Sequence, residues 1–281
     1  MNLPADSLRS GWVTALRMAA CAVASAALLR ASGVPDRASA GAVLEQFRSS
    51  IWAEPLYAEF DLLQIPRRGP ERVYHGRLWG SRNAGGPVTR FELGNGFAHH
   101  VLIQGGMEGH VWTSDGPGAG SPDEAALLAP MLPGLEMTPF DVQMPYLYWL
   151  DWNLARVDRI RGRQAYAFTF SPSGDFRAAA PGIRSVTAYL DAQYDALVQS
   201  EIAGPDGRVS KTLSLLELRK VGDRWIPKDV DVRNESTRDK TRLTFKAVAL
   251  GFMGAPAAFD ASQLGVSAAP PPRADITAIS Q

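Results

Sequence analysis

Apolar residues along this chain recur with two different periods, and the change between them divides it. From Ala42 to Trp52 the apolar positions are Val43, Leu44, Phe47, Ile51 and Trp52. That is one face of a helix, and Pro55 bars its continuation. From Leu56 the period becomes two. Leu56, Ala58, Phe60 and Leu62 alternate with Tyr57, Glu59 and Asp61, and Val73 to Trp79 repeats the pattern after the turn Pro66-Arg-Arg-Gly-Pro70. Strand patterns continue at Val88–Leu93, His99–Gln104 and Met107–Thr113, the last two joined by Gly105-Gly106, which suits a two-residue hairpin. A Gly/Pro-rich stretch, Asp115 to Ser121, leads into a short helix expected over Ser121–Ala129. A second short helix is expected from Thr138 towards Trp149, with Pro145 interrupting it. Period two returns at Ala165–Phe170, Ser185–Leu190, Ala196–Ile202, Val209–Leu218, Trp225–Val232 and Arg242–Leu250.

About eleven strands with hairpin turns predict a mainly β (α+β) protein with one large antiparallel sheet. Twist accumulates in such a sheet, so it curls. The expected architecture is an unclosed β-barrel with an N-terminal helix and a mid-chain helical lid.

The two ends read differently from this body. Arg9 and Arg17 precede the apolar run Met18–Leu29, and Ala38-Ser39-Ala40 ends the segment with small residues. This is the layout of a secretory signal peptide, with a cut expected after Ala40. Twelve apolar residues are too few for a bilayer-spanning helix, which needs about 20. The expected organisation is therefore a leader over 1–40, one domain over 41–265, and a disordered Pro-rich tail over 266–281. Export places the protein in the periplasm. Cys21, the only cysteine, lies in the leader, and Arg17 makes it a poor lipid-attachment site. The domain must therefore be held by its core rather than by disulfides.

The whole chain has 29 basic and 29 acidic residues; without the leader 25 and 27 remain. This balance excludes the basic stripe that nucleic-acid binding needs.

Pairing the strands across a two-residue Gly105-Gly106 turn puts Val101, Ile103 and Trp112 on one face and Leu102, Met107 and Val111 on the other. Apolar groups on both faces mean that helices cover the second face or that it lines an apolar cavity. For a cavity, the candidate lining residues are Trp79, Phe91, Val101, Ile103 and Trp112 from strands, with Tyr148 and Trp149 from the aromatic run Tyr146–Trp152.

Candidates for chemistry are sparse. The same pairing makes His99 and His110 neighbours with Glu108 beside them, two imidazoles and a carboxylate that could hold zinc in a metal-dependent hydrolase. No H-E-x-x-H spacing supports this, and partly exposed strand histidines are the simpler reading. Glu136, Asp141, Asp151 and Asp158 offer carboxylates for glycoside chemistry, but Asp141 in Thr138-Pro-Phe-Asp141 reads as a cap. No G-x-S-x-G, phosphate loop or cysteine nucleophile is present after the leader. The charged run 233–242, with Arg233, Arg238 and Arg242, is a solvated hairpin tip or a docking surface for an envelope partner.

Taken together, Leu102-Ile-Gln-Gly-Gly-Met-Glu-Gly-His-Val-Trp112, Met137-Thr-Pro-Phe-Asp-Val-Gln-Met-Pro-Tyr146, Val186-Thr-Ala-Tyr-Leu-Asp191, Gly207-Arg-Val-Ser-Lys211, Trp225-Ile-Pro-Lys228 and Thr241-Arg-Leu-Thr-Phe245 resemble the LolA-like outer-membrane lipoprotein-sorting proteins. The resemblance runs over residues 41–265. It implies an unclosed barrel with a helical lid over an apolar cavity. It also implies a non-enzymatic periplasmic carrier that needs no cofactor and binds the acyl chains of a lipoprotein or lipid, as a monomer. LolB-like relatives do the same from a lipid anchor, and RseB-like relatives act as envelope sensors that touch a protein partner. No LolA cavity residue transfers to a defined position here, and the stretch Asp115–Trp152 is longer than in a minimal carrier.

Overall fold

The structure is a computed structural model describing residues 35–279, apart from 107–108, 117, 119, 123–124, 192, 194–195 and 253–255. Asp36 opens helix α1 (Arg37–Ser50) by accepting a hydrogen bond from the Ser39 amide at 2.8 Å. The helix buries Ala40, Leu44 and Phe47 against the sheet and ends before Trp52, which takes a left-handed conformation. The helix therefore starts ahead of Ala42, and the expected cut after Ala40 falls within its first turn. The rest of the expected leader, residues 1–34, lies outside the described residues.

The first half of the sheet is a meander of β1 (Leu56–Ile65), β2 (Arg72–Asn83), β3 (Gly86–Leu93), β4 (His99–Gln104), β5 (His110–Ser114) and the two-residue β6 (Ser121–Pro122). The second half runs through β7 (Asp151–Ile160), β8 (Arg163–Ser171), β9 (Ser185–Asp191), β10 (Leu197–Ala203), β11 (Val209–Val221), β12 (Arg224–Asn234) and β13 (Lys240–Leu250). The halves join where β1 pairs antiparallel with β13, giving the order β6-β5-β4-β3-β2-β1-β13-β12-β11-β10-β9-β8-β7. With β14 (Thr277–Ala278) beside β13 the sheet has 14 strands, and β6 and β7 at its ends do not meet. The result is the unclosed, curled antiparallel sheet that the sequence predicts.

Two glycines make room on the concave face. A Cβ on Gly80 would stand 2.7 Å from the Trp52 ring, and one on Gly76 would stand 2.3 Å from the Phe60 ring. Trp52 is fixed there by a 2.9 Å hydrogen bond from its indole nitrogen to Thr89 Oγ1.

Between the halves, residues 125–148 cross the concave side as a lid. Its helix α2 (Pro139–Gln143) begins at Thr138, whose amide and hydroxyl both donate to Asp141 Oδ2 at 2.8 Å. Asp141 is thus the cap that the sequence suggests. Pro145–Tyr148 forms one 3₁₀ turn, so the helix expected to run on towards Trp149 is broken at Met144. The helix expected over Ser121–Ala129 is only a 3₁₀ turn at Ala125–Leu127, preceded by β6. A short helix α3 (Gly174–Ala179), capped by Ser173, comes after β8.

The C-terminal segment, expected to lack order, packs against the convex face of the sheet through Phe259, Leu264, Ala268 and Ile276. Thr277–Ala278 then pair with β13, and Ile279 is buried in the core of the concave side, its amide donating to the Lys246 carbonyl at 2.8 Å. Lys246 is the extra residue of a bulge opposite Glu59 and Phe60. No helix among the described residues is long and apolar enough to cross a membrane.

Candidate functional site

On the concave side, Leu78, Phe91, Leu56, Leu243, Phe245 and Val248 rise from β1, β2, β3 and β13. Phe47, Ile51 and Trp52 come down from α1 and the turn after it, and Met137, Val142 and Met144 from the lid. Leu213, Leu215, Leu218 and Val230 close the side formed by β11 and β12. These groups do not fill the space between them. They line a cavity of about 400 Å³, open on one side, with a predominantly apolar wall.

Polar groups stand at its edge. Asp141 reaches the Lys211 ammonium at 2.5 Å, which ties the lid to β11. Beside it, Glu136 accepts from the Asn234 amide at 3.2 Å, and burial holds its carboxyl above the usual range. At the opposite edge Arg224 meets Glu54 at 3.1 Å. Burial likewise pushes the Tyr146 phenol above its ordinary value, in an aromatic cluster with Phe140, Trp149 and Phe170.

Of the seven expected lining residues, only Phe91 faces the cavity. Val101 and Ile103 share its face but are packed in the core with Val111 and Met131. Tyr148 and Trp149 pack between α1, the lid and β8 rather than against the cavity. Trp79 and Trp112, expected to line the cavity, stand instead on the convex face. Trp79 packs edge-on against Tyr57 at 5.2 Å, under the C-terminal segment, and Trp112 packs with Leu102 and Leu264.

The error for Trp112 comes from register. Leu102 pairs with Trp112 and Ile103 with Val111, so the β4–β5 loop spans residues 105–109 rather than two. The shift exchanges the faces of Trp112 and Val111. Gly106 serves packing instead of a tight turn: a Cβ there would stand 2.1 Å from the Gly85 carbonyl oxygen of the neighbouring hairpin.

The same register separates the expected metal ligands. His99 lies opposite the Asp115 carboxylate, 2.5 Å away, while His110 pairs with Gln104. Glu108 is outside the described residues, and among those described no three metal-ligating side chains converge. The arginines of the charged hairpin are engaged locally. Arg242 makes a two-pronged contact with Asp231 at 2.6 and 2.9 Å, while Arg238 and Arg233 reach Glu235 at 2.6 and 3.7 Å.

The cavity's main contributors that sequence reading missed are Trp52, Leu213, Leu215, Val230 and Phe245. Leu213, Leu215, Val230 and Phe245 sit in correctly expected strands and Trp52 just past the end of α1, but nothing in the local pattern says which face is concave.

A curled, unclosed antiparallel sheet with a helix and a lid on its concave side, leaving an apolar hollow, is the fold of the LolA-like proteins. The likeness extends to solved structures. A domain from Vibrio parahaemolyticus described as an outer membrane lipoprotein-sorting protein matches with a TM-score of 0.65 at 14% identity, over 78% of this chain and 94% of that one. A DUF1329 family protein from Desulfovibrio piger matches at 0.68 and 13%, over 82% and 100%. A LolA superfamily protein from Nitrosomonas europaea matches at 0.56 and 12%, over 74% and 91%. No family model and no curated protein sequence matches the chain.

Proposed function

We propose that this protein is a periplasmic carrier that holds the acyl chains of a lipoprotein or another lipid in the cavity between the concave sheet and the lid. The observation that carries this reading is the cavity of about 400 Å³, walled by side chains such as Leu56, Phe91, Val230 and Phe245 and left unfilled by the protein itself. The walls of an open apolar hollow of this size meet water, and an alkyl chain laid in it removes that apolar surface, and its own, from water. Each methylene buried contributes about 0.8 kcal/mol, so ten supply about 8 kcal/mol before the costs of ordering. Holding an alkyl chain requires no directed polar contact. The reading assigns binding rather than catalysis. It is supported by the fold shared with a domain described as lipoprotein-sorting, and Arg9 and Arg17 ahead of the short apolar run Met18–Leu29 fit export.

The test is native mass spectrometry of protein purified under mild conditions, followed by organic extraction. A co-purifying amphiphile with alkyl chains supports the carrier. Protein that emerges at its bare mass, and stays so after incubation with phospholipid or acylated peptide, refutes it.

A further inference from the structure

The β11–β12 hairpin leaves the sheet. Pairing of β11 with β10 stops at Ser214, and pairing of β12 with β13 stops at Asp229. Beyond those points, Leu215 to Lys228 pair only with each other, as a two-stranded ribbon. Two register irregularities, between Leu215 and Glu217 and between Glu217 and Leu218, lie at its neck. Such bulges bend a strand and re-aim the residues beyond the bend. The inner side of the ribbon, with Leu215, Leu218 and Ile226, forms one wall of the cavity, and Arg224 rests on Glu54 at 3.1 Å.

Its tip is unusual. Trp225 is 55% exposed, the only tryptophan left so open among the described residues. Its direct cross-strand partner is Lys220, which is exposed and has no ion-pair partner among the described residues. Arg219 and Arg224 flank them but are matched by Glu217 at 2.6 Å and Glu54 at 3.1 Å, which leaves Lys220 as the cation at the tip, with Asp223 exposed in the turn. A lone exposed side chain is ordinary on a protein surface, but this indole also lines the mouth of the cavity and stands directly beside an exposed lysine. A tryptophan beside a cation is the pairing suited to the headgroup zone of a bilayer, where the ring sits at the boundary and the ammonium meets lipid phosphates.

We propose that the tip of this ribbon, through Trp225 and Lys220, docks the protein on an anionic lipid surface. The inference rests on the carrier reading, because docking there sets the cavity edge against the bilayer from which an alkyl chain would enter. Lys220 does not line the cavity, so its replacement separates docking from holding.

The experiment is flotation of the full chain with vesicles of phosphatidylglycerol and phosphatidylethanolamine, and with phosphatidylcholine vesicles as the neutral control. The parent is expected to float with the anionic vesicles, less so as salt rises, and poorly with the neutral ones. Lys220→Glu changes two units of charge at about fivefold each, so partition should fall roughly 25-fold. Trp225→Ser should also weaken it. The thermal midpoint of Lys220→Glu, and the amphiphile it retains when loaded from detergent without vesicles, should match the parent. Failure of the parent to bind anionic vesicles, or equal binding by Lys220→Glu, overturns the proposal. So does loss in both variants of a captured envelope protein while vesicle binding persists. Loss of the carrier reading registers separately, as absence of amphiphile in the mass spectrum.

Discussion

Arg90 and Glu92 stand two residues apart on β3, on the same convex face, and form a 3.0 Å ion pair with both side chains all but inaccessible. The C-terminal segment seals them. Arg90 donates to the carbonyls of Ala258 and Leu264 at 3.2 and 3.0 Å, and Glu92 accepts from the Ala268 amide at 2.6 Å. His100 lies beside them, with its Nε2 at 2.7 Å from the Phe97 carbonyl. The pair thus fastens residues 258–268 to the sheet.

Removal of one member leaves the other buried and uncompensated. Arg90→Ala is expected to lower stability by about 3–5 kcal/mol. It should also free the chain after residue 256 to a protease before the sheet unfolds. Urea denaturation and limited proteolysis check this; an unchanged cleavage pattern would show that the ion pair is not what holds the segment.

Filling the cavity should evict its occupant. Val230 lines the hollow and is only partly buried, so Val230→Trp adds an indole without displacing backbone. Co-purified amphiphile is expected to fall several-fold, with a stability change of under about 3 kcal/mol. By contrast, Trp79→Asp and Trp112→Asp, on the convex face, should destabilise the fold rather than alter ligand content. Quantified lipid extracts and thermal midpoints distinguish these outcomes.

Glu136 provides a pH-dependent test. Burial raises its folded carboxyl pKa above the unfolded one. A raised acid opposes folding where it is ionised, and that penalty is relieved as pH falls through the folded value towards the unfolded one. Glu136→Gln should therefore stabilise the protein at neutral pH, with the gain vanishing below the ordinary carboxylate range. Asp231 has the opposite sign: burial alone would raise it, but Arg242 and Lys240 outweigh burial and hold it low. Its contribution is present above the ordinary carboxylate range and is lost in stronger acid. Urea midpoints across pH for Glu136→Gln, Asp231→Asn and the parent measure both effects.

Helix α1 constrains the mature N-terminus. A cut after Ala40 would remove the Asp36 cap, at a cost of about 1 kcal/mol, and would take the fully buried Ala40 from the core. Under the carrier reading, the terminus left by removal of a leader is expected ahead of Asp36. N-terminal sequencing that finds Gly41 would reverse this.

The strands were legible wherever period two ran unbroken. Strand β7 was not, because a bulge at Ala155 shifts the alternation between Leu154 and Val157, so half of the strand reads out of phase with the rest. The Gly105-Gly106 loop misled for a related reason: its glycines answer to the backbone of another hairpin, a neighbour that local sequence cannot name. That one loop moved Trp112 to the other face and separated the expected His99 and His110 neighbours.

By itself the sequence determined the class of fold, the curl of the sheet and the positions of α1 and the lid, because period, turns and caps are local properties. Only the tertiary structure decided which face is concave, where the C-terminal segment lies and which side chains stop short of filling the hollow. Those depend on register and on contacts across more than a hundred residues, such as Arg90 with Leu264, which no local pattern encodes.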